Sequence, residues 1–356
     1  MSRYFARICY YDERMCLMAV IEGACIGIDL GTANCLVCTK DKGIVIREPS
    51  VVAYDLASDR VIAIGAEAKR MIGKTPYGIT TVKPLKDGVI ADFGLTLAMM
   101  KMFIGRAMRS SIFARPKVIV CIPYGITEVE QRAVENAAIE AGASGVALVE
   151  EPVAAAIGAG IPIRQPKGNM IIDIGGGTTE VAVVTGGGVA VSKSLRIAGD
   201  TCDKAIAEYI RKKFNVLIGE TTAENIKTEI GSAHESTDIG MLEVRGRNLG
   251  TGLPSVFNIY AREVREAMRE PLGAVIDVIR ATLEITPPEL CADLYDNGIM
   301  LAGGGSLLAG LPLLIEERTG LPVTLAKHPL DAVADGIVKI ISTRNLRSVL
   351  SEVKKV

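Results

Sequence analysis

The chain has 356 residues, with 40 Lys and Arg against 41 Asp and Glu for a formal net charge of −1, and it is 49% hydrophobic and 23% charged. That length and composition suit two globular domains, each with its own core. They exclude a disordered chain, and the balanced charge excludes a basic field for nucleic acid.

Residues 1–23 read as an N-terminal extension. Asp12, Glu13 and Arg14 interrupt it, so it is unlike a secretion signal. Its readings stay open: a weak amphipathic anchor over 1–7 carrying Tyr4 and Phe5, a frayed extension, or sequence upstream of a start at Met15 or Met18. Strands are predicted over 24–30, 35–39, 43–47, 50–54 and 61–64, parted by turn signals at Lys42-Gly43 and Glu48-Pro49. An apolar run of helical length covers 95–109. A continuous β-rich run at 117–122 fits a strand buried on both faces. Thr127 and Glu130 open a helix as a capping box and Gly142 stops it. A buried strand over 146–149 leads to a helix over 152–157 that carries Pro152 in its first turn.

The pattern restarts at Met170. Strands over 170–172, 181–184 and 189–197 precede a helix over 202–214, then one over 223–230 opened by Thr221 with Glu224. A strand-rich excursion fills 237–258. A long helix over 262–283, a strand over 298–302, a helix over 306–318 stopped at Gly320 and a last helix over 329–341 complete the chain. The longest uncharged run, 298–315, contains Gly303, Gly304, Gly305 and Pro312 and is no spanning helix. Eight cysteines lack framework spacing. Cys35 and Cys38 form a C-x-x-C, but three positions apart on a strand they point to opposite faces, so reduced and mostly buried thiols are expected.

Two acidic-glycine turns carry the chemistry: Asp29-Leu30-Gly31-Thr32, and Asp173 to Glu180 with Gly175, Gly176 and Gly177. Each follows an apolar run and precedes an alternating one, so each reads as a strand, a tight turn and a returning strand. Without a Cβ, such a turn can bring backbone N–H groups against phosphate oxygens. The aspartate beside it can hold Mg²⁺ through water. A third glycine cluster, Gly303 to Gly305 followed by Ser306, sits at a strand-to-helix junction where Ser306 could cap the helix. Three such clusters in this order point to a nucleotide.

Residues 27–34, Glu48 to Val52, Lys86 to Asp92, Glu150 to Gly158, Asp173 to Val183 and Leu301 to Leu307 together resemble the MreB family of bacterial actin-like proteins over nearly all of 24–341. The resemblance implies an α/β, actin-like fold: two RNase H-like domains with mixed five-stranded sheets flanked by helices, each with a small subdomain, and an ATP cleft between them. Domain I would cover 24–165 with its small subdomain at about 48–90. Domain II would cover 166–325 with its small subdomain at about 203–258, and 326–356 would return to domain I.

The resemblance also assigns residues. Thr32, Ala33 and Asn34 look like the first phosphate loop and Gly175, Gly176 and Gly177 like the second, with Asp29 and Asp173 at the magnesium shell. Glu224 and Lys227, on one helix face, match the positions that hold ribose and base, with Asn225 and Ile226 between them. Gly304, Gly305, Ser306 and Leu307 match the adenine-side loop. Glu151 matches the carboxylate that orients the attacking water, with Asp173 as the second catalytic residue, and the helix N-terminus would keep Glu151 ionised. Structural roles remain open for Glu224 as a capping carboxylate and for Lys227 on a solvated face. Ile112 and Phe113, flanked by Arg109 and Arg115, match a loop pair that inserts into the inner leaflet, against the alternative that they fold onto the core. Members of the family usually carry threonine where Cys35 stands and glycine where Ala198 stands. Cys35 puts a loop contact in doubt, and Ala198 would place a methyl toward the nucleotide.

The implied function is a slow, Mg²⁺-dependent ATPase that polymerises with itself at the inner face of the cytoplasmic membrane. Its partners would be membrane lipids and membrane-bound cell-wall elongation proteins, and it would maintain cell shape. The competing readings are a soluble phosphotransferase of the sugar or acetate kinase type and a chaperone-type ATPase. The first lacks a separate set of groups for a second substrate, and the second lacks room for a substrate-binding domain.

Overall fold

The computed structural model describes residues 24–108, 115–351 and 353–355. They form two compact units, one within Met1–Arg70, Pro76–Pro162 and Asp331–Val356, the other within Met71–Thr75 and Ile163–Leu330.

The chain enters the first unit with three antiparallel strands, β1 (Cys25–Leu30), β2 (Asn34–Thr39) and β3 (Gly43–Pro49). A small three-stranded sheet follows from β4 (Val52–Asp55), β5 (Arg60–Ile64) and β6 (Ile79–Val82), with the short helix α1 (Ala66–Met71) inserted. The hairpin β7 (Leu85–Lys86) and β8 (Val89–Ile90) turns on Asp87 and Gly88, both at positive φ. Helix α2 (Phe93–Ala107) is N-capped by Asp92, whose carboxylate accepts from Leu95 N at 2.9 Å. Strand β9 (Lys117–Ile122), helix α3 (Glu128–Glu140), strand β10 (Gly145–Glu150) and helix α4 (Glu151–Ala159) complete the outward path. The capping box of Thr127 and Glu130 forms in both directions.

Period-2 alternation settles which face of this sheet meets what. Ile26 and Ile28 on β1, with Val118 and Val120 on β9, pack against Met99, Met100 and Phe103 of α2 and Val134 and Ala137 of α3. Gly27 points the other way, where a Cβ would strike Ile337 and Cys38.

The second unit repeats the plan with β11 (Asn169–Ile174), β12 (Thr179–Thr185) and β13 (Gly188–Leu195), then α5 (Gly199–Phe214), β14 (Val216–Leu217) and α6 (Glu220–Ile230). Strands β15 (Met241–Asn248) and β16 (Pro254–Tyr260) form a small sheet with β14. Helices α7 (Ala261–Glu284) and α8 (Pro288–Asn297), strand β17 (Ile299–Ala302), helix α9 (Leu311–Thr319) and strand β18 (Val323–Leu325) close the unit. Its sheet runs β13-β12-β11-β17-β18 over a core of Ile172, Val181, Ile206, Met268, Ile276 and Leu301. The chain then returns to the first unit as α10 (Ala332–Ser342), which packs on α4 and on β1, and as β19 (Lys354–Lys355).

Several expectations are corrected. The first sheet has six strands, β19-β10-β9-β1-β2-β3, because the terminal pair of lysines adds an antiparallel edge to β10. The helix expected over 306–318 begins at Leu311, since Gly303 and Gly310 both adopt left-handed backbone and 304–307 forms only a 3-10 turn. Ser306 therefore caps no α-helix; its hydroxyl donates to Gly303 O at 2.6 Å. Thr221 and Glu224 form no capping box, because the helix already starts at Glu220 behind Gly219. The short helices α1 and α8 were not anticipated.

Candidate nucleotide-binding site

In the first unit the β1–β2 register pairs Asp29 with Leu36 and Leu30 with Cys35, so Gly31, Thr32 and Ala33 make the turn. Asp29 is half-buried at the strand end, while Thr32 is buried and Asn34 exposed. The Thr32 hydroxyl accepts from Gly88 N at 3.0 Å, which ties the turn to the β7–β8 hairpin. A Cβ on Gly31 would come within 2.6 Å of Asn34 O, so the close turn depends on glycine there.

Glu151 is the first residue of α4 and Glu150 its N-cap, with Pro152 behind them. Both carboxylates are half-buried. Burial raises the Glu150 carboxyl above the usual range. The positive end of the helix dipole favours an anion at Glu151, the first residue of α4.

In the second unit Asp173 pairs with Glu180 and Ile174 with Thr179, leaving Gly175 to Thr178 as the turn, closed by Gly175 N donating to Thr178 O at 2.9 Å. Two carbonyls of this turn are tied back: Gly199 N donates to Gly175 O at 3.3 Å and Asp200 N to Gly176 O at 2.8 Å. In a planar trans peptide the C=O and the next N–H point in opposite directions. The N–H groups of Gly176 and Gly177 are thereby turned away from α5, and consecutive outward amides are the construction of an anion nest.

The third glycine loop lies directly on the end of β11. A Cβ on Gly303 would strike Asp173 Oδ1 and Ile174 O, and one on Gly305 would strike the Ile174 side chain. Only glycine allows that approach. Asp173 is buried beneath it, and burial pushes its carboxyl up to about 7. Each unit carries one carboxylate of the hard-oxygen kind a divalent cation takes, Asp29 in the first and Asp173 in the second, each at the strand end beside its glycine turn. A nearby cation also offsets the cost of burying the Asp173 charge.

On α6, Glu224 and Lys227 share a face, as their spacing implies, while Asn225 points to solvent. Ile226 does not line a site, since it is fully buried in the core of the unit. The Lys227 ammonium points inward, paired with the Asp203 carboxylate (Nζ to Oδ1 2.8 Å) and donating to Gly199 O at 2.9 Å. Lys227 therefore braces the segment that tethers the Gly175–Gly177 turn. Ala198 is also corrected, because its methyl is buried in the core. Gly304 and Leu307 are exposed and Ser306 is fully buried. Gly88, Gly199 and Asp203 were missed by sequence reasoning, and only the Asp87-Gly88 turn carried a local signal. Ile112 and Phe113 lie outside the described residues. No helix among the described residues is long and apolar enough to cross a membrane.

The family model for MreB/Mbl protein matches residues 23–348. The chain belongs to the MreB/Mbl family. Its relatives include the cell shape-determining protein Mbl of Bacillus subtilis, 48% identical over 311 residues, 87% of this chain and 93% of that one. The cell shape-determining protein MreB of Escherichia coli is 49% identical over 319 residues, 87% of this chain and 91% of that one. Among solved structures, MreB5 of Spiroplasma citri bound to ADP superposes with a TM-score of 0.88 at 36% identity, covering 92% of this chain and 98% of that one. The same protein bound to AMPPNP gives 0.87 at 37%, covering 91% and 97%. The fold is thus actin-like.

Proposed function

We propose that this chain is an ATP-binding, ATP-hydrolysing actin-like protein that assembles with copies of itself along the inner face of the cytoplasmic membrane and organises cell-wall synthesis to maintain cell shape. The observation that carries the reading is the pair of acidic-glycine hairpins, within a family whose MreB5 member has been solved with ADP and with an ATP analogue.

Backbone amides of Thr32, Ala33 and Asn34 and of Gly175, Gly176 and Gly177 contact the phosphates in this reading. Asp29 and Asp173 would hold Mg²⁺, mainly through water, and that ion would supply neutralisation of the phosphoryl charge. Glu224 reaches the ribose and base, and the Gly304–Leu307 loop offers flat backbone to the adenine. Glu151 orients the attacking water and accepts its proton at the carboxylate, while the amides stabilise charge on the transferring group. Ile112 and Phe113 enter the lipid surface, with membrane-bound cell-wall elongation proteins as partners.

The test is phosphate release by Glu151→Ala. It should bind ATP like the parent and turn it over about 10²-fold more slowly, the scale of general-base contributions. An unchanged turnover removes Glu151 from the mechanism.

A further inference from the structure

The two hairpin turns are held by different means. The Gly175–Gly177 turn is tethered by the amides of Gly199 and Asp200, so no side chain at those positions is needed. In the Gly31–Asn34 turn, one residue holds two of the carbonyls. Ser50, fully buried just past β3, donates its N–H to Ala33 O at 3.0 Å and its hydroxyl to Gly31 O at 2.5 Å. By the peptide-plane argument, holding these two carbonyls turns the N–H groups of Thr32 and Asn34 away from Ser50. Gly31 lacks a Cβ, so without the tether its following peptide is free to rotate.

A serine hydroxyl has one proton and two lone pairs. With that proton on Gly31 O, Ser50 Oγ is left as an acceptor, and Cys35 Sγ lies 3.1 Å from it. Cys35 is itself fully buried, and burial pushes its thiol up to about 12, so it keeps the proton it would donate. The thiol is 4.0 Å from Gly31 O and is a poor substitute for Ser50 at that carbonyl.

We propose that Ser50 is the positioning residue of the first phosphate loop: its N–H sets the Asn34 amide, and its hydroxyl, held as a donor by the Cys35 thiol, sets the Thr32 amide, so that both face the phosphates of a nucleotide. The inference rests on the nucleotide reading above. It turns the cysteine, where the family usually carries threonine, into a working part of the loop.

The test is titration of the full-length chain with ATP and with adenosine, in Mg²⁺, for the parent and for Ser50→Ala, Cys35→Val and Cys35→Thr. Ser50→Ala should weaken ATP binding about tenfold, the scale of one buried hydrogen bond, and leave adenosine binding unchanged, because only the phosphates meet these amides. Cys35→Val keeps the volume but loses the donor and should weaken ATP about threefold, whereas Cys35→Thr should bind at least as tightly as the parent. If Ser50→Ala does not fold, the valine–threonine contrast at Cys35 decides. Equal losses for ATP and adenosine, or no loss in either Ser50→Ala or Cys35→Val, would overturn the proposal. A parent chain that binds no ATP would instead overturn the nucleotide reading on which it stands.

Discussion

Gly336→Ala puts the better helix former into the middle of α10 and is nevertheless expected to destabilise the first unit. The added Cβ would land on Ala154 O and lie 2.6 Å from Ala154 C and 3.1 Å from Ala154 Cα. Across the same crossing, a Cβ on Gly158 would strike Ala332 O and lie 2.9 Å from Gly336 N. Every atom in the way is backbone, so no rotamer change relieves the contact, and the helices must part. Separation strips packing from Ala154, Ala155, Ile337 and Ile340, all fully buried, and pulls on the Lys339 ammonium that donates to Ile157 O and Gly158 O at 2.9 Å each. Alanine recovers about 1 kcal/mol of helix propensity. Overpacking costs about 1–3 kcal/mol, and a backbone clash belongs at the upper end. The net loss is about 2 kcal/mol, or about 4–8 °C in melting temperature for a unit of this size. Thermal unfolding followed by circular dichroism reads it directly. Gly105→Ala is the control, since a Cβ there meets nothing within 4 Å and the same change on α2 should leave stability equal or higher. A Gly336→Ala protein that melts at or above the parent would refute the close crossing of α4 and α10.

The buried pairs and thiols give further outcomes. Lys227→Met leaves the Asp203 carboxylate buried without its cation and should cost about 3 kcal/mol at pH 7.5. Burial raises the Asp203 carboxyl, so the folded form takes up a proton more readily than the unfolded one, and the deficit should shrink at pH 5. A deficit that does not change with pH would contradict this, as measured by urea unfolding at both values. Burial also lifts Cys25, Cys35 and Cys38 from 9.0 to about 12. At pH 8 these three should resist iodoacetamide in the folded chain while half-buried Cys291 reacts, which mass spectrometry of the labelled peptides resolves. For each of the three, the unfolded thiol loses its proton first, so its contribution to stability is full below pH 9 and is lost as pH rises through about 12.

What could be read locally was read well. The Thr127–Glu130 capping box, the β9 strand and the two Asp-Gly hairpins need only neighbours in sequence, and they stand close to where pattern and turn chemistry put them. The misses depend on tertiary contact. The start of α9 was obscured because Ser306 looks like a cap, while left-handed glycines on either side prevent a helix from reaching it. Ile226 shares a motif with Glu224 and Lys227, yet at 100° per residue its side chain must face the core. Lys227 reads as a surface lysine until α5 brings Asp203 and Gly199 beneath it. The α4–α10 crossing joins residues far apart in the chain, so nothing near Gly158 announces its need for glycine. Ser50 stood inside a recognised motif, but its bond to Gly31 O bridges 19 residues and appears only once β3 is laid beside β2.

The central claim is that nucleotide held at these glycine loops governs self-assembly. Sedimentation of the full-length chain with Mg²⁺ and ATP, with Mg²⁺ and ADP, and with neither tests it most directly, with Asp173→Ala run beside the parent. Pelleting of the parent that depends on nucleotide and is lost in Asp173→Ala is the result expected. Pelleting of the parent that is the same with and without nucleotide, or no pelleting in ATP, would contradict it.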